Sequence, residues 1–435
     1  MITITKSMRM LLQAMNPRSK VLVVGTTSDY VELIRQSCPD LALFITDPVI
    51  RNKASEAAPD PAEEILCKLH DYHQVRTALV RHVEKWNIVL EGITCFDCES
   101  LELAARLASD YSLPYPSVKS VRNCRDKFMS KMLWHQNNIP SPAVTLINSY
   151  TEAAEFFLQV GGPCVIKPRI GSGSELVFRC DTVKDCEIAV LHIEKGLRER
   201  QGNRLFSNTF VDSSVMIAEE FISGEEYSCD FIIQNGTIDI IRLTRKIHYS
   251  QSPFGTIRGY VLEDLPDGIE HREVLEILYR AASALGITEA VCMVDFLVRN
   301  KEIVLLEMTP RPGGDCIPYL LQKALHLDTI KLTLDFARSY PISLNNYKGH
   351  TPYAGLRLHA KQSGVLKKIN TFSLDSDRRV LEFNILKKPG DFIRMPPDDY
   401  ESWLLGHVIM KADTTTNIEE QCNDLINRIE VEIDS

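Results

Sequence analysis

The sequence predicts a multidomain α/β and α+β chain: a parallel-sheet domain first, a sheet-rich core with helices to one side, and a small mixed domain last. Three observations carry this expectation. Near the start, short apolar runs alternate with helical stretches, the pattern of strands in a parallel sheet. In the middle, longer strand-like runs follow one another closely. The 435 residues are too many for one hydrophobic core, so about two to four domains are expected.

The elements follow in order. Residues 20–24 are a continuous apolar run, read as a buried strand, and Gly25-Thr26-Thr27-Ser28 as the turn after it. A second strand covers 41–45 and ends at Asp47-Pro48; a third covers 86–90. Residues 99–109 predict a helix with Leu101, Ala104, Ala105 and Ala108 on one face. Pro114 and Pro116 then break the periodicity, marking a linker that closes a first domain at 1–115. A helix over 126–135 opens the core, and a second begins with Thr151 as N-cap, burying Ala154, Phe157 and Leu158. Residues 164–168 predict a strand running into a glycine-rich loop; 215–222, 227–233, 291–298 and 303–308 predict further strands. Val274, Ile277, Leu278, Ala281 and Leu285 stand at helical spacing between them. The core spans 116–335. Strands near 354–359, 379–385 and 404–410, and a helix carrying Ile418, Cys422, Leu425, Ile426 and Ile429, make up the last unit at 336–435.

Composition narrows the function classes. Hydrophobic residues make up 44% and charged residues 25%, which is globular rather than disordered. A net charge of −9 argues against nucleic acid, whose phosphates are held by basic patches, and leaves room for a small anion. No apolar run reaches the length of a membrane span, and residues 1–20 have no signal-peptide core, so a cytoplasmic protein is expected. Twelve cysteines are spread along the chain, with Cys164, Cys229 and Cys292 inside apolar runs; they read as buried free thiols. Cys95 and Cys98 form a Cys-x-x-Cys pair, but no second such pair exists to complete a zinc site, and they read as unlinked thiols.

Chemistry concentrates in the core. Lys167 ends an apolar strand, and Gly171-Ser172-Gly173-Ser174 follows at once. Backbone N–H groups of such a loop can approach phosphate oxygens, and a lysine beside it adds a point charge. The pattern matches neither the P-loop nor the dinucleotide fingerprint. Asp295 and Glu307 lie on two strands joined by an Arg299-Asn300-Lys301 turn, each among apolar residues. Two unpaired carboxylates there would be costly, and a divalent cation between them would offset that cost.

Lys127 in CRDKFMSK, Lys167 in VIKP, the GSGS loop, EEFISGEEYS, MVDF and LEMTPRPGGD resemble, in order and spacing, the ATP-grasp superfamily. The similarity covers the whole chain, and 1–115 resembles that family's Rossmann-like leading domain. It implies an ATP-grasp fold using ATP and magnesium, with manganese as the alternative ion. It also implies residue roles: Lys127 and Lys167 on ATP phosphates, and Gly171, Ser172, Gly173 and Ser174 as a mobile lid. Glu219, Glu220 and Ile222 would line the adenine slot, mainly through backbone groups, and Glu226 would bind the ribose. Asp295 and Glu307 would bind the metal, and Arg311 would stabilise the transferred phosphoryl group. The family usually has asparagine where Thr309 stands, whose hydroxyl can still offer an oxygen.

The MTPRPGGD form resembles the amino-acid ligase branch, which implies amide-bond formation between a carboxylate and an amine through an acyl phosphate. The alternatives are a biotin carboxylase-like or purine-pathway member, or a non-catalytic ATP-binding regulatory module. Retention of Lys127, Lys167, Glu307 and Arg311 argues against the last. His248, Arg258 and Asp315 are the polar candidates for the acceptor pocket, Arg258 for a carboxylate and Asp315 for an ammonium. Each is read equally well as a solvated loop residue. The expected partners are small-molecule carboxylates and amines and a second copy of the chain, with neither nucleic acid nor membrane.

Overall fold

The computed structural model describes residues 17–206, 215–249, 253–266, 268–342, 344, 352–372, 374, 376–413 and 416–434. The first unit contains β1 (Arg18–Val24), α1 (Ser28–Ser37), β2 (Ala42–Thr46), α2 (Pro48–Asn52), β3 (Glu64–Leu66), α3 (Tyr72–Trp86), β4 (Ile88–Thr94) and α4 (Leu101–Tyr111). Its sheet runs β3-β2-β1-β4, every neighbour parallel. Alternation along β1 explains why its run is apolar throughout. Val21 and Val23 pack with Val31 and Ile34 of α1 on one face; Leu22 and Val24 pack with Val75, Leu79, Leu101 and Ala104 on the other. The third strand differs from the expected 86–90. Trp86 closes α3, Asn87 turns left-handed at φ 49° to cap it, and the strand then runs on to Thr94.

The core adds α5 (Val118–Arg125), α6 (Lys127–Gln136), β5 (Val144–Ile147), α7 (Tyr150–Val160), β6 (Cys164–Pro168), β7 (Phe178–Cys180), α8 (Val183–Glu199) and β8 (Met216–Glu220). Asp126 ends α5 and caps α6, its carboxylate accepting the N–H groups of Phe128 and Met129. The N-cap of α7 is Ser149, not Thr151, and this shifts the buried face by one residue. Ala153 and Phe156 are buried, and Leu158 is 69% exposed. Strands β5-β8-β6-β7 form an antiparallel sheet, and α7 and α8 cover one apolar face of it.

The large sheet holds β9 (Glu225–Gln234), β10 (Thr237–His248), β11 (Ile257–Leu262), β12 (Ala290–Arg299) and β13 (Glu302–Thr309). Helix α9 (His271–Leu285) packs Val274, Leu278, Ala281 and Leu285 on Cys229, Phe231, Cys292 and Val294. Helices α10 (Ile317–Leu325) and α11 (Thr329–Ala337) follow. Ile330, Leu334 and Ala337 of α11 return to pack on β1 of the first unit. That contact is tight at Gly92, where a Cβ would stand 2.2 Å from the Ala337 carbonyl.

The remaining elements are β14 (Tyr353–His359), β15 (Gly364–Asn370), β16 (Val380–Ile385), β17 (Phe392–Ile393), β18 (Leu404–Lys411), α12 (Ile418–Asn427) and β19 (Glu430–Asp434). Strands β14, β18 and β16 extend the large sheet beyond β11, giving the order β13-β12-β9-β10-β11-β14-β18-β16. A small sheet, β17-β15-β19, closes the end. All twelve cysteines are free and buried, Cys95 and Cys98 included. No described helix is long and apolar enough to cross a membrane.

Candidate active site

Period-two alternation sends the apolar side chains of β9, β12 and β13 toward α9 and the polar ones to the opposite face. On that face Asp295 and Glu307 stand directly opposite one another in register, with Thr309 two residues further along β13. Neither carboxylate is left alone, contrary to the expectation from sequence. Lys246 Nζ lies 2.8 Å from Asp295 Oδ2 and 2.7 Å from Glu226 Oε1, and His248 Nε2 is 3.0 Å from Glu226 Oε2. Burial pushes the Glu226 carboxyl up, but Lys246, joined by His248, outweighs it and holds the group at about 2. Burial wins at Asp295, which is pushed up against the pull of Lys246, with Glu226 and Glu307 adding to the rise. Asp295 Oδ1 and Thr309 Oγ1 are both buried with no hydrogen-bond partner. Orphaned oxygens beside a facing carboxylate fit a hard divalent cation.

The smaller sheet supplies the other wall. Lys167, on β6, places Nζ 2.7 Å from Glu219 Oε2, and Lys131 of α6 places Nζ 2.7 Å from Glu219 Oε1. Lys131 also donates to the Leu306 carbonyl at 2.8 Å. Burial draws the fully enclosed Lys131 ammonium down to about 8 even with Glu219 beside it. Sequence reasoning missed Lys131. Its signal was its place four residues after Lys127, on the same helical face. The Glu219 side chain thus ties two lysines together, and the N–H groups of Glu220 and Phe221 are already donated to Ala143 and Pro163 carbonyls. Ile222 packs with Leu297 and Val304, and the Arg179 guanidinium lies 4.1 Å from the Phe221 ring centroid.

Lys127 links the two walls. Its Nζ donates to the Gly171 carbonyl at 2.8 Å and lies 3.3 Å from Glu307 Oε2. Burial alone would push Glu307 up; Lys127, Lys167 and Lys131 hold it at about 2. Gly173 and Ser174 take positive φ of 67° and 59°, and the Ser174 hydroxyl donates to the Gly255 carbonyl at 3.0 Å. The loop is therefore fastened by few bonds to either side.

Arg311 lines a ≈ 330 Å³ cavity together with Tyr30, Asp97, Cys98, Ser172, Asp315, Asn384 and His407. Its Nε is 3.1 Å from Cys98 Sγ and its Nη1 donates to the Pro312 carbonyl at 2.8 Å. Below the loop, Gly313 donates its N–H to Asp230 Oδ2 at 3.0 Å, and Asp230 pairs with Arg242 at 2.8 Å. A Cβ on Gly313 would stand 2.5 Å from the Arg242 guanidinium, so the turn needs glycine. Of the three residues suspected of meeting the acceptor, Asp315 alone lines this cavity, and Arg357 Nε lies 2.9 Å from its carboxylate. His248 sits in the Glu226 cluster, and Arg258 bonds Asn423 and lies 5.4 Å from the Tyr249 ring centroid. The contribution of the first unit, Tyr30 and residues 96–99, was not legible from sequence. Tyr30 Oη and His407 Nε2 line the cavity, buried and without a partner.

Lysines of the smaller sheet and α6 meet the carboxylates of Glu219 and, on the large sheet, Glu307, and the glycine loop is joined to Glu307 through Lys127. Residues 160–319 match the ATP-grasp domain, and residues 357–434 match the L-amino acid ligase C-terminal domain 2. The chain therefore carries an ATP-grasp domain followed by an L-amino acid ligase C-terminal domain. It is 26% identical over 281 residues to a D-alanine–D-alanine ligase of Acidovorax ebreus, covering 61% of this chain and 74% of that one. It is 21% identical over 291 residues to an L-arginine-specific L-amino acid ligase of Bacillus subtilis, covering 66% and 67%. The crystal structure of an L-amino acid ligase from Bacillus licheniformis shares its fold at TM-score 0.75 and 17% identity, over 97% of this chain and 100% of that one. The chain spans 55%, 74% and 67% of the length of three curated relatives.

Proposed function

We propose that this chain is an ADP-forming ligase that activates the carboxylate of an amino acid or small acid as an acyl phosphate and joins it to an amine. The observation that carries the reading is the cavity at Arg311. Besides Arg311 it is lined by Asp29, Asp97, Glu99 and Asp315 and by Ser172, the neighbour of Gly171, whose carbonyl takes the Lys127 ammonium. A substrate bearing both a carboxylate and an ammonium finds a complementary group for each end.

Lys127 and Lys167 would take phosphate oxygens, a reading supported by Lys131 and Lys167 sharing the Glu219 carboxylate. Glu226 is the ribose candidate. Its tie to Lys246 and His248 also brings it within reach of the metal carboxylates. Asp295, Glu307 and Thr309 would hold magnesium, which when bound offsets charge on the phosphate oxygens. Arg311 stabilises charge on the transferred group, and Gly171 to Ser174 close over it to exclude water, since an acyl phosphate left open to solvent hydrolyses. No protein nucleophile is required. Manganese satisfies the same oxygen donors.

The test is a matrix of amino acids offered in pairs with Mg·ATP, scoring phosphate release and new condensation masses. Phosphate released at the same rate with and without amino acids, with no condensed product, would refute the ligase reading.

A further inference from the structure

Away from the nucleotide walls, three thiols converge inside the smaller sheet. Cys164 opens β6, Cys180 closes β7 and stands opposite Cys164 in the antiparallel register, and Cys186 lies in the first turns of α8. All three are fully buried. Cys164 and Cys186 Sγ are 3.8 Å apart, and the three sulfurs all lie within 4.8 Å of one another. Among the described residues this is the one cluster of three or more potential metal ligands so close together, and no histidine or carboxylate joins it. The walls are apolar: Ile147, Phe156, Ile166, Leu176 and Val190 enclose it.

We propose that Cys164, Cys180 and Cys186 form a three-coordinate site for a soft monovalent cation of the copper(I) class. A metal–sulfur bond of about 2.3 Å places sulfurs about 3.8 Å apart at a tetrahedral angle and about 4.0 Å apart in a trigonal plane. The 3.8 Å between Cys164 and Cys186, with all three sulfurs within 4.8 Å, needs little rearrangement to meet either. Thiolates select soft ions, and a structural zinc site almost always takes four ligands. With three sulfur donors and no histidine or carboxylate among the described residues of the cluster, the set fits the ion that accepts three.

Binding exchanges protons for metal. Each metal–sulfur bond that forms releases one thiol proton to solvent, and no electron is transferred. Entry requires little unfolding, because β7 is three residues long and sits at the sheet edge. The site lies on the strand that carries Lys167 three residues later, so the ion would stiffen β6 without touching the nucleotide.

The experiment uses the full chain, reduced with a phosphine and titrated with copper(I) against a sulfonated bathocuproine competitor. One equivalent should bind, with three sulfur scatterers in X-ray absorption. Alkylation under native conditions through local opening, read by mass spectrometry, should show Cys164, Cys180 and Cys186 labelled more slowly after loading and the other nine cysteines labelled as in the unloaded protein. Cys186→Ser should weaken binding by more than the roughly ten- to hundred-fold typical of losing an outer-shell partner. The alkylation map needs no variant, so it decides the matter even if Cys186→Ser misfolds. No bound equivalent, or protection at other cysteines, overturns the proposal.

Discussion

Asp230→Asn isolates the charge that anchors the Arg311 loop. Asp230 and Arg242 are both closed to water and 2.8 Å apart, and Asp230 Oδ2 also takes the Gly313 N–H. Asparagine keeps the shape but leaves the guanidinium as a buried cation among neutral acceptors. Those that remain are the Ser228 carbonyl, Thr244 Oγ1 and Ser228 Oγ, at 2.7, 2.6 and 3.1 Å. Removing one partner of a buried ion pair costs about 3–5 kcal/mol, and the three surviving bonds put this case near 3. Replacing both charges, as Asp230→Leu with Arg242→Met, is expected to cost less than the single change, since an apolar pair leaves no buried ion unpaired. A chain of 435 residues with several cores is unsafe ground for one global unfolding midpoint. Native-state hydrogen exchange reads the local opening energy instead. Protection on β9 and β10 should fall by about two orders of magnitude, the equivalent of about 3 kcal/mol, with β1 and β2 unchanged. A fall of less than about three-fold, or an equal fall on β1, would refute the view that this pair is a local anchor.

Lys167→Ala and Glu307→Ala should each lower nucleotide-dependent turnover by about two or more orders of magnitude while leaving the far-ultraviolet circular dichroism unchanged; turnover as in the parent would remove them from the site. Mg·ATP should slow proteolytic cleavage near Gly171 to Ser174, because the unliganded loop is fastened by few side-chain bonds; equal cleavage with and without nucleotide contradicts the lid. His359 is packed against Trp403 and held neutral, burial and then Arg357 lowering its pKa to about 3. Between that value and the unfolded value of about 6.5 the unfolded chain alone binds the proton. Stability is therefore lost on acidification, by about 2 kcal/mol from pH 6.5 to 5. His359→Gln should flatten that loss in hydrogen exchange of β14, and an unchanged slope would rule out His359 as its source.

Much of the site was legible because its strands carry local signals. The apolar run ending in Lys167 is β6, and the hairpin that faces Asp295 with Glu307 follows from two runs and a turn, although the turn is Asn300-Lys301 alone, Arg299 being the last residue of β12. What was not legible depends on pairing at long range. Strand β10 reads as mixed because it alternates Ile241, Leu243 and Ile247 with Arg242, Thr244 and Lys246, and no local signal says that its polar face meets carboxylates on β9 and β12. That alternation was the missed cue. At α7 the cue was a capping signature: Ser149 with Glu152 three residues later, which places the helix start two residues before Thr151. The cavity wall from the first unit had no cue at all, since Tyr30 and Cys98 meet Arg311 only once the first unit packs on the core.

The two proposed ion sites in this chain are sorted by donor chemistry, and this makes their failures separable. The oxygen site has carboxylates, a hydroxyl and two orphaned atoms, Asp295 Oδ1 and Thr309 Oγ1, with lysines close by. Those donors are hard, and the lysines compete with any ion that binds weakly, so occupancy there should follow the magnesium supplied with nucleotide. Among the described residues no carboxylate or histidine joins the sulfur cluster, and hard ions gain nothing from its thiols. A carboxylate chelator such as EDTA should therefore abolish nucleotide-dependent turnover and leave copper(I)-protected cysteines protected. A copper(I) chelator should expose those cysteines while turnover with fresh magnesium persists. If each chelator instead removed both behaviours, the two sites would share an ion, and the separation drawn here between β6's first residue and its fourth would be wrong.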